Sequence, residues 1–182
     1  MKKWAWLGLI LFWAVQAAWA GGFRLALKGS YFSAEDAAFR DVYGSAARVG
    51  LEGDWQIADH LWIWTGLDQV HKTGGLTLTG EVTRVWITPI GAGLRYEIPG
   101  GERLAFHLQA GLQEVFFKEE NLLGTAAENG LGFIAGGGAD YRLTGALEVG
   151  LFVSWSTCKL THDGVGFKTG GLDAGGAIAV RF

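Results

Sequence analysis

The sequence predicts an all-β protein, an eight-stranded antiparallel up-and-down transmembrane β-barrel. Three observations carry that reading. Apolar residues alternate with polar or small ones along eight segments, the period-two pattern of strands with one face in an apolar medium. The chain has 30 glycines, 2 prolines, 13% aromatic and 18% charged residues, against roughly 25% charged in ordinary soluble domains. Mean hydropathy is +0.21, although no apolar run after Val15 approaches the roughly 20 residues of a spanning helix.

The amino-terminal segment is read separately. Lys2 and Lys3 precede an uncharged apolar run from Trp4 to Val15, and Ala18-Trp19-Ala20 follows as a small-x-small sequence. Basic start, short apolar core and small-residue end are the pattern of a secretory signal peptide. Residues 1–20 are therefore expected to be removed, leaving 21–182 as one barrel domain.

The first segment, Gly22 to Phe32, places Phe23, Leu25, Leu27 and Tyr31 opposite Arg24, Ala26, Lys28 and Ser30. The second, Ala46 to Ile57, places Val49, Leu51 and Trp55 opposite Arg48, Glu52 and Asp54. The third, Leu61 to His71, puts Ile63 and Leu67 outward only if Trp62 and Trp64 point inward with Asp68. The fourth is long, Thr79 to Ile98, with Ile90, Leu94 and Tyr96 opposite Arg95 and Glu97. Pro89 cannot donate to a ladder, so a bulge or an edge of the lipid zone is expected there.

Arg103 to Phe117 sets Phe106, Leu108 and Leu112 against His107, Gln109 and Gln113; Lys118 to Gly130 is expected to be a loop. Leu131 to Arg142 sets Phe133 and Tyr141 against Asp140 and Arg142. Leu147 to Trp155 sets Leu151 and Val153 against Glu148, with Thr161 to Gly170 expected as the last loop. Gly171 to Phe182 closes the series, with Ile178, Val180 and Phe182 opposite Asp173 and Arg181. Long and short connections alternate, as in barrels with long loops at one rim and short turns at the other.

Polarity decides which face looks inward. A charge facing lipid at mid-depth costs about 2–4 kcal/mol for Arg or Lys, so the charged face must line the lumen. This assigns Arg24, Lys28, Arg48, Arg95, Arg142 and Arg181 to the interior with Glu52, Asp54, Asp68, Glu97, Asp140, Glu148 and Asp173. Six positive groups against seven negative ones predict a paired network, which His107 can join, in a lumen that eight strands leave just wide enough for side chains. The inward glycines are expected to make room for arginines from neighbouring strands.

Little else points to chemistry. His60, His71, His107 and His162 have no metal-ligand spacing with one another or with the single cysteine, Cys158, so neither metal nor cofactor is expected. No catalytic pair of the kinds used by barrel enzymes stands out, and the expectation is a protein without enzymatic activity. A formal charge of −3 gives no basic footprint for nucleic acid. In the first loop, Asp36 and Arg40 are spaced for a helical ion pair, with Phe39 and Val42 or Tyr43 as a small apolar face.

Tyr31-Phe32 followed by Asp36, Phe39 and Tyr43-Gly44 resembles the first loop of small bacterial proteins carrying an outer-membrane β-barrel domain. Phe117-Lys118-Glu119-Glu120-Asn121 resembles the start of their third loop, and Gly170-Gly171 through Phe182 their end. In size and strand count the chain resembles OmpA- and OmpX-type barrels. The resemblance implies a place in the bacterial outer membrane with both termini periplasmic. It also implies lipid and the barrel-insertion machinery as partners, a monomer, and a structural, adhesive or surface-interaction role. The alternative expectation is a narrow channel, or a transporter or binder of a small or hydrophobic solute. The terminal Phe182 resembles the assembly signal read by that machinery. Deleting it is expected to lower the amount of folded barrel in membranes, read as the heat-modifiable band on gels; an unchanged band would refute the assignment.

Overall fold

The computed structural model describes residues 22–75, 81–122 and 124–182. The expected signal peptide and the expected start of the fourth strand at Thr79 lie outside them. In chain order the elements are β1 (Phe23–Ala34), α1 (Ala37–Tyr43), β2 (Ala46–Ala58), β3 (Leu61–Gly75) and β4 (Val82–Pro99). Then come β5 (Leu104–Asn121), β6 (Gly124–Arg142), β7 (Leu147–His162), β8 (Val165–Lys168) and β9 (Gly171–Arg181).

Each long strand pairs antiparallel with the next, and β9 pairs with both β7 and β1, which closes a ring of eight strands. At the seam Leu27 lies opposite Ile178 on one side and Leu51 on the other. Phe182 and Phe23 exchange backbone hydrogen bonds of 2.7 and 3.3 Å. Both described chain ends and the three tight connections lie at one rim (the turn rim); α1 and the β5–β6 and β7–β8 hairpins lie at the other (the loop rim).

The period-two pattern sorts the two faces. Leu25, Leu27, Leu51, Leu94, Leu108, Leu151 and Ile178 are exposed on the outside, while Arg24, Arg95, Asp54 and Asp140 are buried inside. Aromatic side chains gather outside the turn rim, where Phe23 packs 5.2 Å from Trp55 and 5.9 Å from Phe182. One outward carboxylate interrupts the apolar face: Glu114, between Leu112 and Phe116, accepts a 2.9 Å hydrogen bond from Asn129 Nδ2 on β6.

Several sequence expectations are corrected. Residues 118–130 are mostly ladder: β5 and β6 remain paired out to Asn121 opposite Gly124, making them 18 and 19 residues long. The third strand likewise runs on to Gly75. The last loop contains a hairpin, turned by Asp163 and Gly164 at φ 48° and 80°, the Asp-Gly signature of a type I′ turn. At Pro89 there is no bulge. Pairing with β3 lapses between Leu67–Ile90 and Val70–Ile87 and resumes in the same register, because the missing donor removes ladder bonds without adding a residue.

Trp62 and Trp64 do point inward, each 3% exposed, and they explain glycines better than arginines do. A Cβ at Gly91 or Gly111 would lie 3.0 or 2.7 Å from the Trp64 ring. One at Gly50 would meet the Asp68 carboxylate at 1.8 Å, and one at Gly138 the His107 ring at 2.7 Å. The expectation that these glycines serve arginines is therefore corrected: they receive an indole, a carboxylate and an imidazole. Gly111→Val is expected to destabilise the barrel by about 1–3 kcal/mol through overpacking, measured as a lower urea midpoint in lipid vesicles. Gly145→Ala, where an added Cβ meets nothing within 4 Å, is expected to leave the midpoint unchanged.

Candidate functional site

The lumen is built in two layers. In the layer towards the turn rim, Arg24 on β1 reaches across to carboxylates from three other strands. Its guanidinium lies 2.7 Å from Asp54, 3.2 Å from Asp140, 3.3 Å from Glu148 and 3.5 Å from Glu52. Arg95 on β4 pairs with Asp140 and stands 3.5 Å from Glu52. His107 Nδ1 is 2.8 Å from Asp140 Oδ2 and 3.0 Å from Arg95 Nη2. Arg181 binds Glu97 at 2.8 Å and Glu148 at 2.9 Å, and its guanidinium lies 5.0 Å from the centre of the Trp62 ring. Arg142, 40% exposed at the turn rim, is 3.5 Å from Glu148.

Lys28 carries the network upward, 3.0 Å from Glu52 and 5.0 Å from the Phe152 ring centre. Above it Arg48 pairs with Asp173, which also accepts a 3.1 Å bond from Ser30 Oγ, and Arg48 covers the Phe32 ring at 4.3 Å. Asp68 faces the same space, its carboxylate set against Gly50 on β2. Of the fourteen residues assigned to the lumen from sequence, Arg24, Arg48, Glu52, Asp54, Arg95, His107, Asp140, Glu148 and Asp173 are buried, and Lys28, Asp68, Glu97, Arg142 and Arg181 are partly exposed. His60 sits in the β2–β3 turn at φ 63°, and His71 stacks 5.0 Å from Trp86 on the outer face. Cys158 is a buried free thiol, and Phe182 is 68% exposed at the turn rim.

The second layer is apolar, which corrects the expectation of a polar lumen throughout. Phe32, Val70, Val85, Ile87, Val115, Phe117 and Leu160 are buried in one cluster, with Tyr43 of α1 laid over it. The signal was a phase change. On β5 the inward residues run His107, Gln109, Gln113, then Val115 and Phe117, while outward ones run Phe106, Leu108, Leu112, then Glu114, Phe116 and Lys118.

Helix α1 closes this layer. Asp36 caps it by accepting from Phe39 N at 3.2 Å, and Arg40 donates to the carbonyls of Ala34 and Glu35 at 2.7 and 2.8 Å. The expected Asp36–Arg40 ion pair is therefore replaced by a cap and a carbonyl clamp. Phe39 and Tyr43 do form the expected apolar face, their rings 4.7 Å apart. The Tyr43 hydroxyl donates to Thr83 Oγ1 at 2.8 Å, and Thr83 donates to Glu119 at 2.9 Å. Burial holds the Tyr43 phenol well above its ordinary pKa. Gly74 lets the helix lie so close, since a Cβ there would meet Val42 O at 2.5 Å.

Between α1 and the two hairpins lies a cavity of about 420 Å³, walled by Phe39, Val42, Tyr43, Phe117, Val165 and Phe167. Asp36, Glu119, His162, Asp163 and Lys168 stand around its edge. Lys168 Nζ is 2.7 Å from Glu35, which keeps that exposed carboxyl below its ordinary pKa. His162, at the hairpin tip clear of the apolar band, is 2.8 Å from Glu128, and that bond raises its pKa. Among the described residues no group of three or more His, Cys, Asp or Glu is placed to hold a metal ion.

A closed antiparallel ring of eight strands, apolar outside and ion-paired inside, is the architecture of the small outer-membrane β-barrels. Comparison with solved structures agrees. Neisserial surface protein A superposes with a TM-score of 0.72 at 13% identity, covering 89% of this chain and 99% of that one. OprG of Pseudomonas aeruginosa gives 0.62 at 12% identity, covering 89% and 96%. Ail of Yersinia pestis, solved with the heparin analogue sucrose octasulfate, gives 0.58 at 14% identity, covering 89% and 99%. At these identities the likeness shows the fold. No protein-family model and no curated protein matches the sequence.

Removing one partner of a buried ion pair leaves the other uncompensated, at about 3–5 kcal/mol. Arg24→Met is therefore expected to lower stability by about that amount in denaturant titration of the lipid-inserted barrel. Adding Asp54→Asn is expected to restore part of the loss, and a simple sum of the two single losses would contradict the pairing.

Proposed function

We propose that this chain is an integral protein of the bacterial outer membrane, with both termini periplasmic, that acts at its outer loop rim and conducts nothing through its lumen. The carrying observation is the doubly filled interior. Arg24, Arg95, Asp54 and Asp140 are at most 4% exposed in one layer, and Val70, Val85 and Ile87 at most 1% in the next. An eight-stranded ring has no space for a water column beside such side chains. The exterior supports insertion: an apolar face, interrupted at Glu114, with aromatic residues at the turn rim is what lipid contact requires.

What remains for function is the loop rim, where α1 and two hairpins present side chains to the outside. A surface-interaction role follows, and the barrel Ail, described as an attachment invasion locus protein, belongs to the same fold. Catalysis is no part of this reading, and Phe182 at the end of β9 is its proposed recognition point for the insertion machinery. In planar bilayers, purified protein is expected to give no steady conductance above the lipid baseline. Steady unitary currents that Arg24→Met alters would overturn the closed-lumen reading.

A further inference from the structure

We infer that the cavity beneath α1 binds a small amphipathic cation, a molecule with a ring-bearing or short-chain apolar body and one protonated amine. The inference goes beyond surface interaction in general, and rests on that reading only for the side from which the ligand arrives. The body is specified by the walls. Phe39, Tyr43, Phe117 and Phe167 present rings, and Val42 and Val165 present methyls, around about 420 Å³. That volume falls within the roughly 300–1,000 Å³ of small-molecule sites, which combine apolar walls with a few placed polar groups. Phe117 and Phe167 pack edge to face at 4.9 Å, so the floor is formed by side chains that hold one another.

The charge is specified by what is left over after pairing. Of the two basic side chains at the edge, Lys168 is matched by Glu35 at 2.7 Å and His162 by Glu128 at 2.8 Å. Arg40 donates to backbone carbonyls, which are neutral and leave its charge in place, so it offsets one of the carboxylates at the edge, and Lys159 lies on the outward face of β7. Asp36, Glu119 and Asp163 then remain around the opening. Asp36 accepts from the backbone N–H of Phe39 and of Lys168, and Glu119 accepts from Thr83. Those donors are neutral and leave the carboxylate charges in place. Asp163 is 92% exposed, and the basic side chain beside it is the already engaged His162, at 3.7 Å. An apolar hollow edged by surplus negative charge favours a cation over an isosteric neutral molecule and disfavours an anion.

The test is calorimetric titration of the barrel in lipid nanodiscs, with protein-free nanodiscs as the blank. Phenylbutylamine is the cationic probe, phenylbutanol and phenylbutyrate its neutral and anionic isosteres. Phenylbutylamine is expected to bind saturably, phenylbutanol several-fold more weakly, and phenylbutyrate not at all. Glu119→Gln and Asp163→Asn are each expected to weaken the amine by roughly two- to fivefold, the size of one exposed charge pair, and to leave phenylbutanol unchanged. Ala126→Trp, which places a ring into the hollow, is expected to abolish binding of both while the heat-modifiable fold persists. Equal affinity for amine and alcohol, no effect of the two carboxylate variants, or no saturable binding by any probe would overturn the inference. Conductance reports on the lumen alone, so failure here and failure of the closed-lumen reading are distinct results.

Discussion

Eight strands enclose a space that side chains must fill completely, and the guanidinium of Arg24 is the group around which this space is arranged. Its partners come from β2, β6 and β7, so one side chain ties the first strand to the far wall. A strand has a side-chain period of two, and a slip by one residue moves its whole inner set to the outer face. Such a slip in β1 would carry Arg24 and Lys28 into lipid and leave Asp54, Glu52 and Asp140 without cations in a poorly hydrated interior. The penalty is paid at both faces at once. Buried ion pairs are weak contributors to net stability when compared with well-packed apolar groups; here their physical effect is to make wrong registers far worse than the right one.

The same strands serve two media in succession. Alongside the apolar exterior the lumen is ionic; beyond Glu114 on β5 the inner face turns apolar at Val115 and Phe117, while the outer face carries Phe116 and then Lys118. The loop rim therefore folds by the rule of a soluble protein, burying apolar groups beneath a polar shell. It is small, which is why α1 matters. A seven-residue helix has little stability of its own, and it is held by the Asp36 cap, the Arg40 clamp, the Tyr43–Thr83–Glu119 chain and the clearance at Gly74.

The barrel was legible in the sequence because lipid and a tight lumen leave each strand position only two options, and the residues differ sharply between them. Arg24 opposite Leu25 admits one answer. The loop rim was harder because its residues carry the opposite phase: Phe117 was read as the last residue before a loop, although it continues the ladder with its face turned inward. Asp163-Gly164 was a readable hairpin signal, masked by the polar residues around it. Asp36 and Arg40 illustrate a different limit. Spacing of i and i+4 is compatible with an ion pair, but a helix that begins at Ala37 leaves Asp36 one position outside, where its carboxylate meets unpaired amides. The cavity had no signature at all, since its walls come from α1, β5, β6 and the β7–β8 hairpin.

Glu114 and Asn129 acquire a further meaning from their place on the outside of the wall. A carboxylate bonded to an amide on two adjacent strands is at ease in the headgroup layer and out of place among acyl chains. The pair thus works as a waterline: it marks how deep the β5–β6 side can sink. Below it the hull is Leu108, Leu112, Leu131 and Phe133. Beyond it β5 and β6 stay paired as far as Asn121 and Gly124, carrying Glu119 and the loop-rim cavity with them.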